Sequence, residues 1–109
     1  MTTRNELFTY IKENLGIDDP EIISELLQEY CETFRGYQIK FLRCLAQTDS
    51  DGLYRAAHSL KGCSGNVGHE KVYQLCLSLE SAAQTSNFTE VEEILRLLSS
   101  AATELCPED

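Results

Sequence analysis

Several residue types are scarce in this sequence, and each shortage narrows the range of functions. Nine Lys and Arg residues stand against 18 Asp and Glu residues, which gives a net charge of −9. Because phosphate backbones and anionic membrane surfaces attract clustered cations, this balance argues against both as partners. No apolar run approaches the roughly 20 residues that a membrane-spanning helix needs. The N-terminus lacks the basic-then-apolar order of a signal peptide, so we expect a cytoplasmic protein.

The five cysteines lack the spacing of a metal site or of a redox motif. No Cys-x-x-Cys pair occurs, and the number is odd. Without a secretion signal, such cysteines are expected to be reduced core residues. Cys31, Cys63 and Cys76 fall on apolar helical stripes, which favours this interpretation, whereas Cys106 near the C-terminus is expected to be exposed. We predict no metal site.

Strand patterns are also lacking, and apolar residues recur at helical spacing instead. The pattern predicts a short helix over about 4–15, followed by long helices over about 20–47, about 50–65, about 69–85 and about 91–105. Four long amphipathic helices with short connections indicate an all-α fold, an antiparallel up-down four-helix bundle. We expect the additional short N-terminal helix to cover one end, and residues 1–109 to form a single domain.

The helix that carries His58 has the most unusual pattern. On a helical wheel, His58 shares its face with Asp51, Tyr54, Arg55, Lys61, Gly62 and Gly65. The opposite face is apolar and is expected to pack inward, so the histidine points to water. Glycine inside a helix costs about 1 kcal/mol relative to alanine. Two glycines on one exposed face indicate that another molecule approaches the backbone there. An exposed imidazole beside cations suits a group that accepts and passes on a phosphoryl unit.

A longer motif around this histidine carries a family resemblance. It reads Ala57-His58-Ser59-Leu60-Lys61-Gly62, followed by Gly65, Gly68, Cys76 and Leu79-Glu80. This pattern resembles that of histidine-containing phosphotransfer (HPt) domains, the phosphorelay modules of two-component signalling. The rest of the chain is similar in length, in helix number and in its upstream Glu25-Leu26-Leu27 pattern.

The resemblance implies a role for each matching residue. His58 matches the phosphorylated histidine, and Lys61 matches the lysine that faces the phosphoryl group. Gly62 matches the glycine that lets a partner come close, and Glu80 matches a position whose Glu or Gln hydrogen-bonds the imidazole. Lys61 and Glu80 also have plain interpretations, as a solvated lysine and a rim carboxylate. His69 departs from the family pattern, and we interpret it as a helix-start residue rather than a second acceptor.

The resemblance also implies partners and a direction of transfer. Similar HPt domains have no kinase activity, and they carry phosphate from the aspartate of one receiver domain to that of another. We expect docking through Tyr54, Arg55, Gly62 and Gly65. The chain is expected to be a monomer without a cofactor, because Mg²⁺ and the catalytic aspartate come from the receiver domain of a hybrid kinase or of a response regulator.

Two other functions fit the same residues. One is a helical adaptor that binds a partner without accepting phosphate, in which His58 is vestigial. Acid-labile, base-stable phosphorylation distinguishes this adaptor from a relay protein. The other is the phosphoacceptor domain of a chemotaxis-type histidine kinase, since Ala56-Ala57-His58-Ser59 resembles that branch too. The lack of a following ATP-binding domain disfavours it unless the chain is excised from a larger protein.

Overall fold

The computed structural model describes residues 3–106 of the chain. These residues form α1 (Arg4–Leu15), α2 (Pro20–Ala46), α3 (Ser50–Asn66), α4 (Glu70–Gln84) and α5 (Phe88–Leu105). No strand occurs within 3–106, so the predicted all-α class is confirmed. The start of α5 at Phe88, rather than near Val91, is the largest difference from the predicted boundaries. It arises because the Asn87 side chain accepts a hydrogen bond from the Glu90 backbone N–H and thereby caps an earlier start.

Local capping explains most of the other helix ends. The side chains of Thr3, Asp19 and Asp49 accept hydrogen bonds from backbone N–H groups in the first turns of α1, α2 and α3. Pro20 occupies the first turn of α2, where its missing N–H has no helical partner to lose. Gly16 ends α1 with a left-handed φ of 68°, a conformation that glycine adopts without steric cost.

The four longer helices pack in a ring. Helix α3 contacts α2 and α4, and α5 contacts α4 and closes the ring on α2. Because the connections 47–49, 67–69 and 85–87 are short, successive helices run antiparallel, as the sequence predicts. Helix α1 packs on α2, and its Tyr10 ring lies so close to Gly68 that a Cβ there would clash with it. The short helix therefore covers the end of the bundle that contains the α3–α4 turn.

The interior of the bundle is apolar. The fully buried large side chains include Phe34, Phe41, Ile11, Ile23, Leu27, Leu53, Leu60, Leu79, Leu98 and Val72. Among residues 3–106, three polar or charged residues are buried with them, namely Ser64, His69 and Glu80. Within residues 3–106, no helix is both long enough and apolar enough to cross a membrane.

The cysteines differ from the sequence prediction. Cys31 of α2 and Cys106 form a disulfide, with 5.6 Å between their Cα atoms, and Cys106 is buried. The predictions that all five thiols are reduced and that Cys106 is exposed are therefore wrong. The two cysteines are 75 residues apart, and their pairing depends on how α5 packs against α2. No local sequence pattern therefore predicts it. Cys44, Cys63 and Cys76 remain free, and burial raises the pKa of the Cys76 thiol to about 12.

Candidate functional site

His58 lies on the exposed face of α3. Its side chain is 64% exposed, whereas Ala56, Ala57 and Leu60 of the same helix are buried in the core. The apolar residues thus fix the rotation of α3, and that rotation presents the imidazole to solvent. One edge of the ring faces α4, where His58 Nδ1 lies 2.9 Å from Glu80 Oε2.

Glu80 is a buried carboxylate with two partners. The residue is only 8% exposed, although the adjacent imidazole is open to water. Its Oε2 accepts from His58 Nδ1, and its Oε1 accepts from Lys61 Nζ at 3.0 Å. A buried charge is costly unless it is paired and hydrogen-bonded, and here both oxygens are satisfied. The interpretation of Glu80 as a solvated rim carboxylate is therefore wrong in structural terms.

The ammonium of Lys61 is held on the protein. Its side chain is 18% exposed, and the hydrogen bond to Glu80 raises the pKa of Lys61. Lys61 therefore remains charged and balances the buried carboxylate. The resemblance implied a lysine that faces the phosphoryl group. In the structure, the Lys61 ammonium donates a hydrogen bond to Glu80 of the next helix, α4.

The hydrogen bond to Glu80 also distinguishes the two nitrogens of the His58 ring. An ionised carboxylate can only accept, so Nδ1 carries a proton in this contact. In the neutral imidazole, the lone pair then resides on Nε2. The site therefore presents a nucleophilic nitrogen on the side of the ring away from α4.

Two further side chains of the exposed face lie on α3 within one turn of His58. The Tyr54 ring lies one turn earlier and stacks on the imidazole, with 6.2 Å between centroids and 11° between planes. Arg55 pairs with Asp51 at 2.9 Å, and both side chains are at least 70% exposed. An ion pair of this exposure contributes little to stability, so its charges remain available to a partner.

The two glycines of the exposed face have different surroundings. A Cβ placed on Gly62 would meet nothing within 4 Å, so packing within residues 3–106 does not require a glycine there. A Cβ placed on Gly65 would meet the Tyr73 ring of α4 at 3.4 Å. A distance of 3.4 Å is an ordinary van der Waals contact, so packing requires a glycine at neither position, and Gly62 leaves the surface beside His58 clear.

His69 is a core residue. It occupies the N-cap position of α4, as the helix-start interpretation predicts, but its ring is buried and makes no side-chain cap. Its Nδ1 lies 2.7 Å from the Tyr30 hydroxyl of α2, and burial lowers the pKa of His69 to about 4. A neutral, enclosed imidazole of this kind is not a candidate acceptor. No group of three or more His, Cys, Asp or Glu within residues 3–106 could hold a metal ion.

Comparisons with known proteins agree with this geometry. The family model described as Hpt domain matches residues 20–106, which include α2 to α5. A curated protein that the chain resembles is the histidine-containing phosphotransfer protein 2 of Arabidopsis thaliana, which is 26% identical over 87 residues. That match covers 77% of this chain and 56% of the relative, so the chain spans about half of the relative's length. No solved structure matches the chain significantly.

Proposed function

The chain belongs to the Hpt domain family, and from this membership we propose that it is a phosphorelay intermediate. His58 accepts a phosphoryl group from an aspartyl phosphate of one receiver domain and donates it to an aspartate of another. The observation that carries the proposal is the exposed His58 ring, whose Nδ1 is held at 2.9 Å by the buried Glu80. This contact leaves the Nε2 lone pair directed away from the bundle.

The transfer needs no base on this chain. The Nε2 lone pair attacks phosphorus, the P–O bond to the aspartyl oxygen breaks, and that electron pair leaves with the carboxylate of the receiver domain. The proton on Nδ1 stays in place, so the phosphorylated ring is a cation. Glu80 accepts the Nδ1 hydrogen bond at 2.9 Å and stabilises this developing charge. In the second transfer the same steps run in reverse toward another aspartate.

Electrostatics and positioning provide most of the catalysis in such a reaction. Lys61 keeps Glu80 balanced through the 3.0 Å contact between Nζ and Oε1. Its cation also adds positive potential beside the incoming phosphoryl group. We propose that Mg²⁺ and the catalytic aspartate belong to the receiver domain, so the HPt chain contributes the nucleophile and the surface around it.

Docking of the receiver domain uses the open surface beside His58. Gly62 leaves this surface clear, since even a Cβ there would contact nothing within 4 Å. Tyr54 and Arg55 lie one turn before the histidine, and Gly65 lies beyond Gly62. The partner's phosphorylation pocket can therefore reach Nε2 without displacing a side chain at position 62.

Radiolabel transfer from a phosphorylated receiver domain in the presence of Mg²⁺ tests the proposal. We expect the wild-type chain to take up label that is lost in acid and retained in base, as expected of phosphohistidine. His58→Gln should take up none, and the matched control His69→Gln should be labelled normally. Acid-stable label, label on His58→Gln, or a wild-type chain that binds the receiver without labelling would contradict the proposal. The last result would favour the adaptor function.

A further inference from the structure

The ring of Tyr54 stacks on the ring of His58, a contact that the sequence motif does not predict. The two rings are almost parallel, at 11°, and their centroids are 6.2 Å apart. This separation lies within the range of offset-stacked aromatic pairs. Residues four apart on a helix are neighbours, and helical side chains lean toward the N-terminal turn. The imidazole of His58 therefore leans over the phenol ring of Tyr54.

The Tyr54 ring is itself held in place. It is half-buried and packs against the edge of the core. Together with Ala83, Gln84 and Ser86 it lines a cleft between α3 and the C-terminal end of α4. The packing against the core restricts the phenol ring, so it can act as a fixed surface for a neighbouring side chain.

Glu80 alone does not fix the imidazole. A single hydrogen bond at Nδ1 holds one edge of the ring, but combined changes in the Cα–Cβ and Cβ–Cγ torsions can still tilt the ring plane while that bond is kept. A stacked neighbour restricts the plane of the ring. The edge contact with Glu80 and the face contact with Tyr54 together restrict both degrees of freedom.

We propose that Tyr54 is a positioning residue, which fixes the plane of the His58 imidazole so that Nε2 points to one place above α3. The catalytic consequence rests on the proposed function of His58 as the phosphoacceptor. The structural consequence, a single orientation of the His58 ring, does not depend on that proposed function. The contribution resides in the aromatic face and not in the hydroxyl of Tyr54.

Two variants separate the ring from the hydroxyl. Tyr54→Leu removes the aromatic face but keeps apolar bulk at the edge of the core, whereas Tyr54→Phe retains the face. Three-bond NMR couplings across Cα–Cβ and across Cβ–Cγ of His58 report its χ1 and χ2 torsions, and therefore whether the ring holds one orientation. We expect one rotamer in the wild type and in Tyr54→Phe, and averaged couplings in Tyr54→Leu. Circular dichroism of all three proteins verifies that the bundle is intact.

Phosphorylation rates provide the second measurement. Each protein is phosphorylated by phosphoramidate, a small donor that needs no docking surface, and separately by a phosphorylated receiver domain. Stacking of this kind corresponds to a rate factor of about 2- to 10-fold. We expect Tyr54→Leu to be slower by this factor with both donors and Tyr54→Phe to remain within about 2-fold of the wild type.

Each other outcome overturns the inference. If Tyr54→Leu keeps a single His58 rotamer and wild-type rates, the stacking has no positioning effect. If it slows only the receiver reaction, Tyr54 acts only through the docking surface and does not position the imidazole. If Tyr54→Phe is as slow as Tyr54→Leu, the hydroxyl is the active group. If wild-type His58 accepts no phosphate from either donor, the proposed function fails, while the couplings still decide whether Tyr54 orients the ring.

Discussion

The hydroxyl of Tyr30 and Nδ1 of His69 lie 2.7 Å apart inside the bundle, and this contact separates the roles of the two histidines. His69 is 1% exposed, whereas the His58 side chain is 64% exposed. Burial also raises the pKa of Tyr30 above its usual range, so its hydroxyl remains protonated and available to the imidazole. One histidine therefore stabilises the core, and the other is available to react.

The buried histidine predicts a specific dependence of stability on pH. Burial lowers the pKa of His69 to about 4, whereas an unfolded histidine has a pKa of about 6.5. The unfolded chain thus binds more protons between these values, so the free energy of unfolding falls as the pH drops through this window. Between pH 7.5 and 4.5 we expect this group to remove about 2–3 kcal/mol.

Urea unfolding of the wild type and of His69→Gln across this pH range measures that contribution. Groups other than His69 titrate in both proteins, so the difference between the two pH profiles isolates it. We expect the profile of the variant to be flatter. Parallel profiles would show that protonation of His69 is not linked to unfolding.

Replacement of Glu80 should slow the phosphorylation of His58 by a factor that reflects the free energy of the lost hydrogen bond. Glu80→Ala removes the acceptor for Nδ1 and leaves Lys61 without its partner. Hydrogen bonds to charged groups are worth about 1.5–3 kcal/mol, so we expect a rate loss of about 10- to 100-fold. Glu80→Gln keeps an acceptor oxygen and should retain part of the rate. Nitrogen-15 shifts of the His58 ring test the cause, because the Nδ1–H tautomer should lose its dominance in Glu80→Ala.

A bulky side chain at position 62 should block docking and leave the fold intact. Gly62 lies in open space on the exposed face of α3, so Gly62→Gln introduces no clash and should stabilise the helix by up to about 1 kcal/mol. Gly36 of α2 offers a matched control, since a Cβ there also meets nothing within 4 Å. We expect Gly62→Gln to lose at least about 10-fold in transfer from a receiver domain, equivalent to 1.4 kcal/mol or more.

Three reactions together test whether position 62 acts through docking: transfer from the receiver domain to Gly36→Gln, the same transfer to Gly62→Gln, and phosphorylation of Gly62→Gln by phosphoramidate. Gly36→Gln should transfer like the wild type, and Gly62→Gln should still react with phosphoramidate. Wild-type transfer rates from the receiver domain in Gly62→Gln would rule out close approach of the partner at this face.

The disulfide predicts a measurable dependence on reductant. Cys31 and Cys106 close a loop across 75 residues, and a native disulfide typically contributes about 2–4 kcal/mol to the free energy of unfolding. We expect three titratable thiols after denaturation of protein purified without reductant, and five after reduction. Reduction should lower the melting temperature of the wild type but not that of Cys106→Ser. Five thiols in the unreduced protein would show that the bond does not form in solution.

Local sequence signals were sufficient for the helices and for the exposed histidine. Asp19 with Pro20 marks the start of α2, and the apolar spacing around His58 sets the rotation of α3. These features depend on residues within one or two turns, which a sequence displays directly. The contact of Glu80 with the imidazole was expected from the family resemblance and not from the apolar spacing.

Contacts between residues of different helices could not be predicted in the same way. The bridge from Lys61 to Glu80 and the bond between Tyr30 and His69 join residues that are 19 and 39 positions apart. Each depends on the rotation and offset of two packed helices, which apolar periodicity leaves undetermined. The disulfide was missed for the same reason. Disulfides are rare in the cytosol, so this bond is unusual for the cytoplasmic location that the sequence predicts. That location and the monomeric state both stay predictions.

The position of the phosphorus on the ring tests the central claim most directly. Phosphorus-31 and nitrogen-15 NMR of the ring-labelled, phosphorylated protein identifies both the residue and the nitrogen that carry the phosphoryl group. The contact between Nδ1 and Glu80 predicts a single phosphohistidine at His58, bonded through Nε2, with the Nδ1 proton retained. Phosphorus on Nδ1 of His58, on His69 or on a carboxylate would contradict the account.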